Sequence, residues 1–191
     1  MAYLTYTTEA LVCGSRDTNT SDRSFLLFTR DAGMVWATAR SVREERSKQR
    51  YALQDFSFIR VSLVRGKSGW RVGSVQNEVN VFSIARTREA RAGVLRIVKL
   101  LRQFVQGEEP HPALYADVYT ALTYIADEAH EHIAYIADRF SVRMLYKLGY
   151  IAAEPTFAPL LEEESEWVRD GKALPDSAQR AIAHALSVSH L

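Results

Sequence analysis

The sequence predicts an α+β fold: a five-stranded β-barrel over residues 1–80, followed by an all-helical domain over 81–191. Two observations carry this. The first 80 residues break into short runs rich in β-branched and aromatic residues, each bounded by turn material. Near residue 86 the hydrophobic period changes from two to about 3.6. With 191 residues, 47% of them hydrophobic and 25% charged, the chain can bury one large core or two small ones.

Five strands are expected, in "TTEALVCGSR", "SFLLFTR", "GMVWATARS", "DFSFIRVSLVRG" and "WRVGSVQN", separated by turns such as "DTNTSD", "DAG" and "GKSG". No helix of any length intervenes, which points to a small closed barrel. The oligonucleotide-binding barrel (OB-fold) is the commonest of this size, and strand count alone leaves an SH3-like barrel open. In the third strand Val35, Ala37 and Ala39 fall on one face, small enough for a tight interior. Met34, Trp36, Thr38 and Arg40 fall on the other. An exposed aromatic beside an arginine suits single-stranded nucleic acid, whose bases stack on the ring while phosphates meet the guanidinium. The alternative is that Trp36 lies under the helical half.

The link after that strand, within "VWATARSVREERSKQRYAL", carries Arg40, Arg43, Arg46, Lys48 and Arg50. It reads as a mobile loop rising from the barrel, whose long cationic side chains, joined by Arg23, contact phosphates without reading sequence; Glu44 and Glu45 restrain its charge. Arg43 and Arg46 are both expected to be solvated. A net charge of +1 conceals an asymmetry. Through residue 105 there are 18 Lys and Arg against 9 Asp and Glu; from 106 onward there are 6 against 14. The first half therefore suits an anionic partner, nucleic acid foremost, unless the two halves simply attract each other.

In "RTREARAGVLRIVKLLRQFVQG", Val94, Ile97, Val98, Leu101, Phe104 and Val105 form one apolar helix face, and Arg88, Arg91, Lys99 and Arg102 a basic stripe along another. The stripe is a candidate extension of the nucleic-acid surface. A second helix starts at Pro112, with Tyr115, Val118, Tyr119, Leu122 and Ile125 spaced for packing. A third carries Ile133, Ile136, Phe140, Met144 and Leu148 inward and ends at Gly149. Residues 152–174 are irregular and acidic, with Glu162 to Glu164 expected in a solvated loop. A last helix is opened by Pro175, Asp176 and Ser177.

Enzymatic chemistry is not indicated. "RGKSG" lacks the glycine that a phosphate-binding loop needs five positions before Gly66, where Val61 stands, and reads as a strand-to-strand turn. In "DEAHEH" only Asp127 with His130, or Glu128 with His132, share a helix face, too few ligands for a metal centre. No nucleophile elbow is present. Cys13 is the single cysteine, which excludes a disulfide framework and a multi-cysteine zinc site, and it reads as a small buried hydrophobe. No cofactor and no bound metal are expected. The sequence shows no secretory leader and no apolar run of the ~18 residues a membrane span needs, so a cytoplasmic protein with no membrane partner is expected, nucleoid-associated through the nucleic-acid binding expected above.

The ordered set Glu9-Ala10-Leu11-Val12, Asp22-Arg23, Leu27-Phe28-Thr29 through Gly33, Ala39-Arg40 with Arg43, Arg46-Ser47 and Leu53-Gln54-Asp55-Phe56 resembles the N-terminal domain of the RecO family of bacterial recombination mediators. "LYKLGY" extends the resemblance into the helical region. The sequence departs from the family pattern in having Ser41 for glycine, Asp55 for proline, Thr20-Ser21 for Gly-Glu, and no cysteine where many members carry a four-cysteine zinc element. The resemblance implies an OB-fold joined to a helical domain. It also implies binding of single- and double-stranded DNA, annealing of complementary strands, and help in loading the recombinase onto strands covered by single-strand-binding protein, with RecR as partner. Two alternatives stay open: a protein-interaction adaptor that keeps the barrel without the DNA role, and an RNA-binding module, since phosphate contacts alone do not separate RNA from DNA.

Overall fold

The computed structural model describes residues 5–67, 69–127, 132–162 and 173–188. Five strands, β1 (Thr5–Asp17), β2 (Arg23–Thr29), β3 (Gly33–Ala39), β4 (Ser57–Gly66) and β5 (Gly69–Asn80), close into a barrel in the order β1-β2-β3-β5-β4. All neighbours run antiparallel except β3 and β5, which pair in parallel at Ala37 with Trp70 and Thr38 with Arg71. This is the five-stranded, OB-fold-like barrel expected. Its interior follows the period-two pattern: Ala10, Val12, Phe25, Leu27, Val35, Ala37, Ala39, Ile59, Val61 and Leu63 form the core. Cys13 is buried in β1 where the register to β2 shifts.

Local chemistry fixes the β2–β3 turn. The Thr29 hydroxyl donates to the Gly33 carbonyl at 2.9 Å and accepts from the Ala32 N–H at 2.9 Å, while Gly33 takes φ +66°. A Cβ on Gly33 would stand 2.3 Å from the Glu109 carbonyl oxygen, so glycine is required by both backbone angle and space. The close approach arises because residues 107–109 cover this side of β3, where the Met34 N–H donates to the Gly107 carbonyl at 2.8 Å. Met34, placed on the outward face by alternation, is consequently buried at 8% exposure.

Compact packing divides the chain into two units, Met1–Ser83 with Gln106–Tyr115, and Ile84–Val105 with Ala116–Leu191. In the barrel unit, Tyr115 packs against Phe28 and Phe58, and two short helical turns, α1 (Gln49–Ala52) and α2 (Val81–Ile84), flank β4 and β5.

The helical unit contains α3 (Arg88–Phe104), most of α4 (Pro112–Asp127), α5 (Ile133–Lys147) and α6 (Asp176–Val188), with a 3₁₀ turn at Ala158–Leu160. Thr87 caps α3, its hydroxyl accepting from the Ala90 N–H at 3.0 Å. The six apolar positions expected on α3 are all buried. Gly93 lets Ile125 and Ile133 approach the helix closely. Tyr119 differs from expectation: it is 44% exposed on α4. After α5, Gly149 takes φ +77°, and the Gly149 and Tyr150 N–H groups donate back to Tyr146 and Leu145, closing the helix as its sequence indicated.

The second half does more with its acidic residues than stay solvated. Asp117, buried on α4, receives two hydrogen bonds from Arg143 (3.1 and 2.9 Å) and pairs with Lys147 at 2.8 Å. Arg143 also donates to the carbonyl of Glu162 at 2.8 Å, so α5 fastens the segment that follows the 3₁₀ turn. Glu162 is exposed, whereas Glu163 and Glu164 lie outside the described residues, as do Glu128 and His130.

Candidate nucleic-acid interface

The basic link does not stand away from the barrel. Val42 and Leu53 insert into the barrel core at 2% and 4% exposure, pinning the segment at both ends, and α1 forms within it. Its first turn is tied to the β1–β2 loop. The Ser41 N–H donates to Asp22 Oδ1 at 2.8 Å, the Arg43 N–H to the Ser21 carbonyl at 3.1 Å, and Arg43 Nη1 to the Asn19 carbonyl at 2.9 Å. Asp22 also accepts from the Asn19 amide at 2.9 Å. The Ser41 N–H first, and the Asn19 amide second, hold the Asp22 carboxyl below its ordinary range. Ser41 adopts φ +50°, a left-handed conformation that explains physically why glycine suits this position.

These ties bring Arg23, Arg43 and Arg50 around one cavity of about 190 Å³, floored by Phe25, Val42 and Leu53. Arg23 and Arg43 share the Asp17 carboxylate at 2.8 and 3.5 Å. Arg43 is therefore a structural tie as well as an exposed cation, rather than simply solvated. Arg40 lines a second cavity, of about 270 Å³, with Gln49, Val64, Arg71 and Val72. Gln49 holds α1 beside β5 by donating to the Gly73 carbonyl at 2.7 Å. Arg46 and Lys48 are exposed and make no ion pair among the described residues.

Trp36 is 39% exposed on the barrel's outer face, and the arginine beside it is Arg16 of β1, its guanidinium 4.1 Å from the ring centroid, not Arg40. Next to this pair a row of hydroxyls, Thr18, Ser24 and Thr38, is linked at 2.8 and 2.9 Å. Arg16 and Arg71 are the residues that sequence reasoning missed. Each reaches the site only through strand pairing, and no local motif marks them. A second pair of this kind, Arg65 over Trp70 at 4.8 Å, is held by the Glu108 carboxylate, which Arg65 hydrogen-bonds at 2.6 and 2.8 Å and thereby keeps below its ordinary range.

On the helical unit, Arg88, Lys99 and Arg102 are exposed along α3 with Arg91, whose Nε donates to the Ala85 carbonyl at 3.1 Å. Leu95, 47% exposed, lies among them, and Arg96 pairs with Asp138. Among the described residues, no group of three His, Cys, Asp or Glu side chains could hold a metal ion, and no helix is long and apolar enough to cross a membrane.

Comparison with known proteins gives this sequence its relatives. Residues 1–77 match the family model described as Recombination protein O N terminal, and residues 86–153 match Recombination protein O C terminal. The chain is 27% identical over 145 residues to the DNA repair protein RecO of Desulfitobacterium hafniense (strain DSM 10664 / DCB-2), covering 76% of this chain and 52% of the relative. To the DNA repair protein RecO of Myxococcus xanthus (strain DK1622) it is 30% identical over 119 residues, 62% of this chain and 49% of that protein. To the DNA repair protein RecO of Thermobifida fusca (strain YX) it is 29% identical over 160 residues, 83% and 63% respectively. The match spans about half the length of most of these curated relatives. With two consecutive family models matched in order, one on the barrel and one across the helices, the chain belongs to the RecO family.

Proposed function

We propose that the chain acts in recombinational DNA repair, in the cytoplasm at the nucleoid, by binding single- and double-stranded DNA through the barrel unit. It anneals complementary strands and assists recombinase loading on strands covered by single-strand-binding protein, with RecR as partner. The observation that carries this reading is the clustering of cations on the basic link and the strands beside it. Arg23, Arg43 and Arg50 surround one cavity, Arg40 and Arg71 line another, and exposed Arg46 and Lys48 lie between them in sequence. Such a surface neutralises phosphates without choosing a base sequence, and the Trp36–Arg16 pair offers a platform on which a base can stack.

Annealing follows from the same physics. A protein that neutralises two strands together lowers their mutual repulsion and needs no nucleotide hydrolysis. The α3 stripe of Arg88, Arg91, Lys99 and Arg102 supplies a second cationic surface of the same kind on the helical unit. The name shared by the relatives, DNA repair protein RecO, supports the repair setting. Annealing of complementary oligonucleotides, with and without the cognate single-strand-binding protein, tests the reading. Acceleration in both conditions supports it, and no acceleration in either removes it in favour of the adaptor role.

A further inference from the structure

The cavity between the basic link and β2 has a charge that a passing DNA strand does not match. Arg23 engages Asp17 through Nε and Arg43 through Nη1, so these two guanidiniums and one carboxylate leave a net charge of +1. Arg50 adds another, for it meets no carboxylate among the described residues and its charged head lies over the Tyr51 ring at 5.4 Å. With Asp17 counted against the three lining arginines, the charge around the cavity totals +2. An internal phosphodiester brings a single negative charge, whereas a phosphate monoester brings about −1.5 to −2 near neutral pH and three acceptor oxygens.

Shape agrees with charge. At about 190 Å³ the cavity is smaller than the ~300–1,000 Å³ of pockets that enclose a whole small molecule, so it takes one end group. The floor of Phe25, Val42 and Leu53 has no charged group and suits the carbon face of a sugar. The cations around it are mounted on a fixed frame: Arg23 on β2, Arg43 beside buried Val42, and Arg50 on the helical turn ahead of buried Leu53. Donors positioned before the ligand arrives lose little freedom on binding, which favours a compact multivalent anion.

We infer that this cavity receives a terminal phosphate monoester, the phosphorylated end of a nucleic-acid strand, and so distinguishes strand ends from strand interiors. The inference rests on the strand-binding reading above and adds a preference to it.

The 191-residue chain is titrated by fluorescence anisotropy against internally labelled thymidine oligonucleotides that carry a 5′-phosphate, a 3′-phosphate, or hydroxyls at both ends. One phosphorylated form is expected to bind about tenfold more tightly than the hydroxyl form, the effect of one charge-assisted hydrogen bond. Arg50→Ala weakens binding of all three and brings their ratio to one. Equal affinity of the wild type for all three, or an Arg50→Ala protein that keeps the ratio, overturns the inference and leaves strand binding standing. If no oligonucleotide binds, the strand-binding reading fails, and thermal denaturation with thymidine monophosphate against thymidine decides the pocket. A shift with the monophosphate alone supports it, and no shift overturns it.

Discussion

The Arg16 guanidinium lies 4.1 Å from the ring centroid of Trp36, although 20 positions separate them in the sequence. The pairing follows from barrel register: β2 lies between them, with Gly14 opposite Leu26 and Leu26 opposite Trp36. A base stacking on Trp36 shares its ring with a cation already in place. One stacked base is worth about 1–3 kcal/mol, so Trp36→Ala is expected to weaken single-strand binding about 5- to 150-fold, and Trp36→Phe far less. Anisotropy titration of the three proteins checks this. Equal affinities would place the strand elsewhere on the barrel.

Gly33→Ala tests the β2–β3 turn. The substitution puts a side chain at φ +66° and drives its Cβ against the backbone at Glu109. A loss of about 2–4 kcal/mol in unfolding free energy is expected, combining left-handed strain with overpacking. Urea denaturation followed by circular dichroism measures it, and an unchanged midpoint would show that the 107–109 segment does not press on β3.

Acid should release the β1–β2 loop. The Asp22 carboxyl lies below its ordinary value of 3.8, first through the Ser41 N–H and then through the Asn19 amide. A carboxylate lowered on folding stabilises the protein fully above its unfolded value and loses that contribution as pH falls through the lower folded value. The stability gap between the wild type and Asp22→Asn is therefore expected to be largest above about pH 5 and to close as pH falls below the ordinary carboxylate value of 3.8. Urea midpoints for both proteins across that range give the answer; a gap independent of pH contradicts the assignment.

In the helical unit, Asp117→Asn removes the carboxylate that buried Arg143, at 4% side-chain exposure, and Lys147 both engage. Breaking one side of such a pair typically costs about 3–5 kcal/mol. Asp117→Asn combined with Arg143→Met removes two of the three charges, leaving the partly exposed Lys147, and is expected to recover part of the loss. Thermal denaturation of the single and double variants separates the two cases, since failure to recover would mean that the Lys147 pairing with Asp117 or the Arg143 contact with the Glu162 carbonyl carries the stability.

The barrel was legible because its signals are local. Alternation in Val35, Ala37 and Ala39 gives the inside of β3, and the Thr29-to-Gly33 spacing marks a turn whose hydrogen bonds the structure displays. The α3 face was legible for the same reason, a repeat within one helix. Arg16 and Arg71 were not, because their proximity to Trp36 and to Arg40 depends on which strands pair and in what register. The link was half legible. Its charge was plain, but Val42 and Leu53 look like ordinary apolar residues until the barrel exists to receive them, and only then does Arg43 become a tie to Asn19 and Asp17. Burial of Asp117 was hidden similarly, since its partner stands 26 residues away.

Arg43's structural role decides how the link should be tested. Reversing Arg43 to Glu would break its contacts with Asn19 and Asp17 and confuse folding with binding. Arg46 and Lys48 are exposed, make no ion pair among the described residues, and can be reversed together. If about four cations of this surface neutralise phosphates on single-stranded DNA, log K falls with log salt at roughly −0.7 per contact, close to −3 in total. The Arg46→Glu, Lys48→Glu protein is expected to retain its urea midpoint while the slope flattens to about −1.5, with affinity reduced for unrelated sequences alike. Anisotropy across salt concentrations, on wild type and double variant, measures both slopes. Should they coincide, the link is not the contact surface, and Lys99→Glu with Arg102→Glu on α3 becomes the substitution that must flatten the slope if the chain binds DNA through its helical stripe.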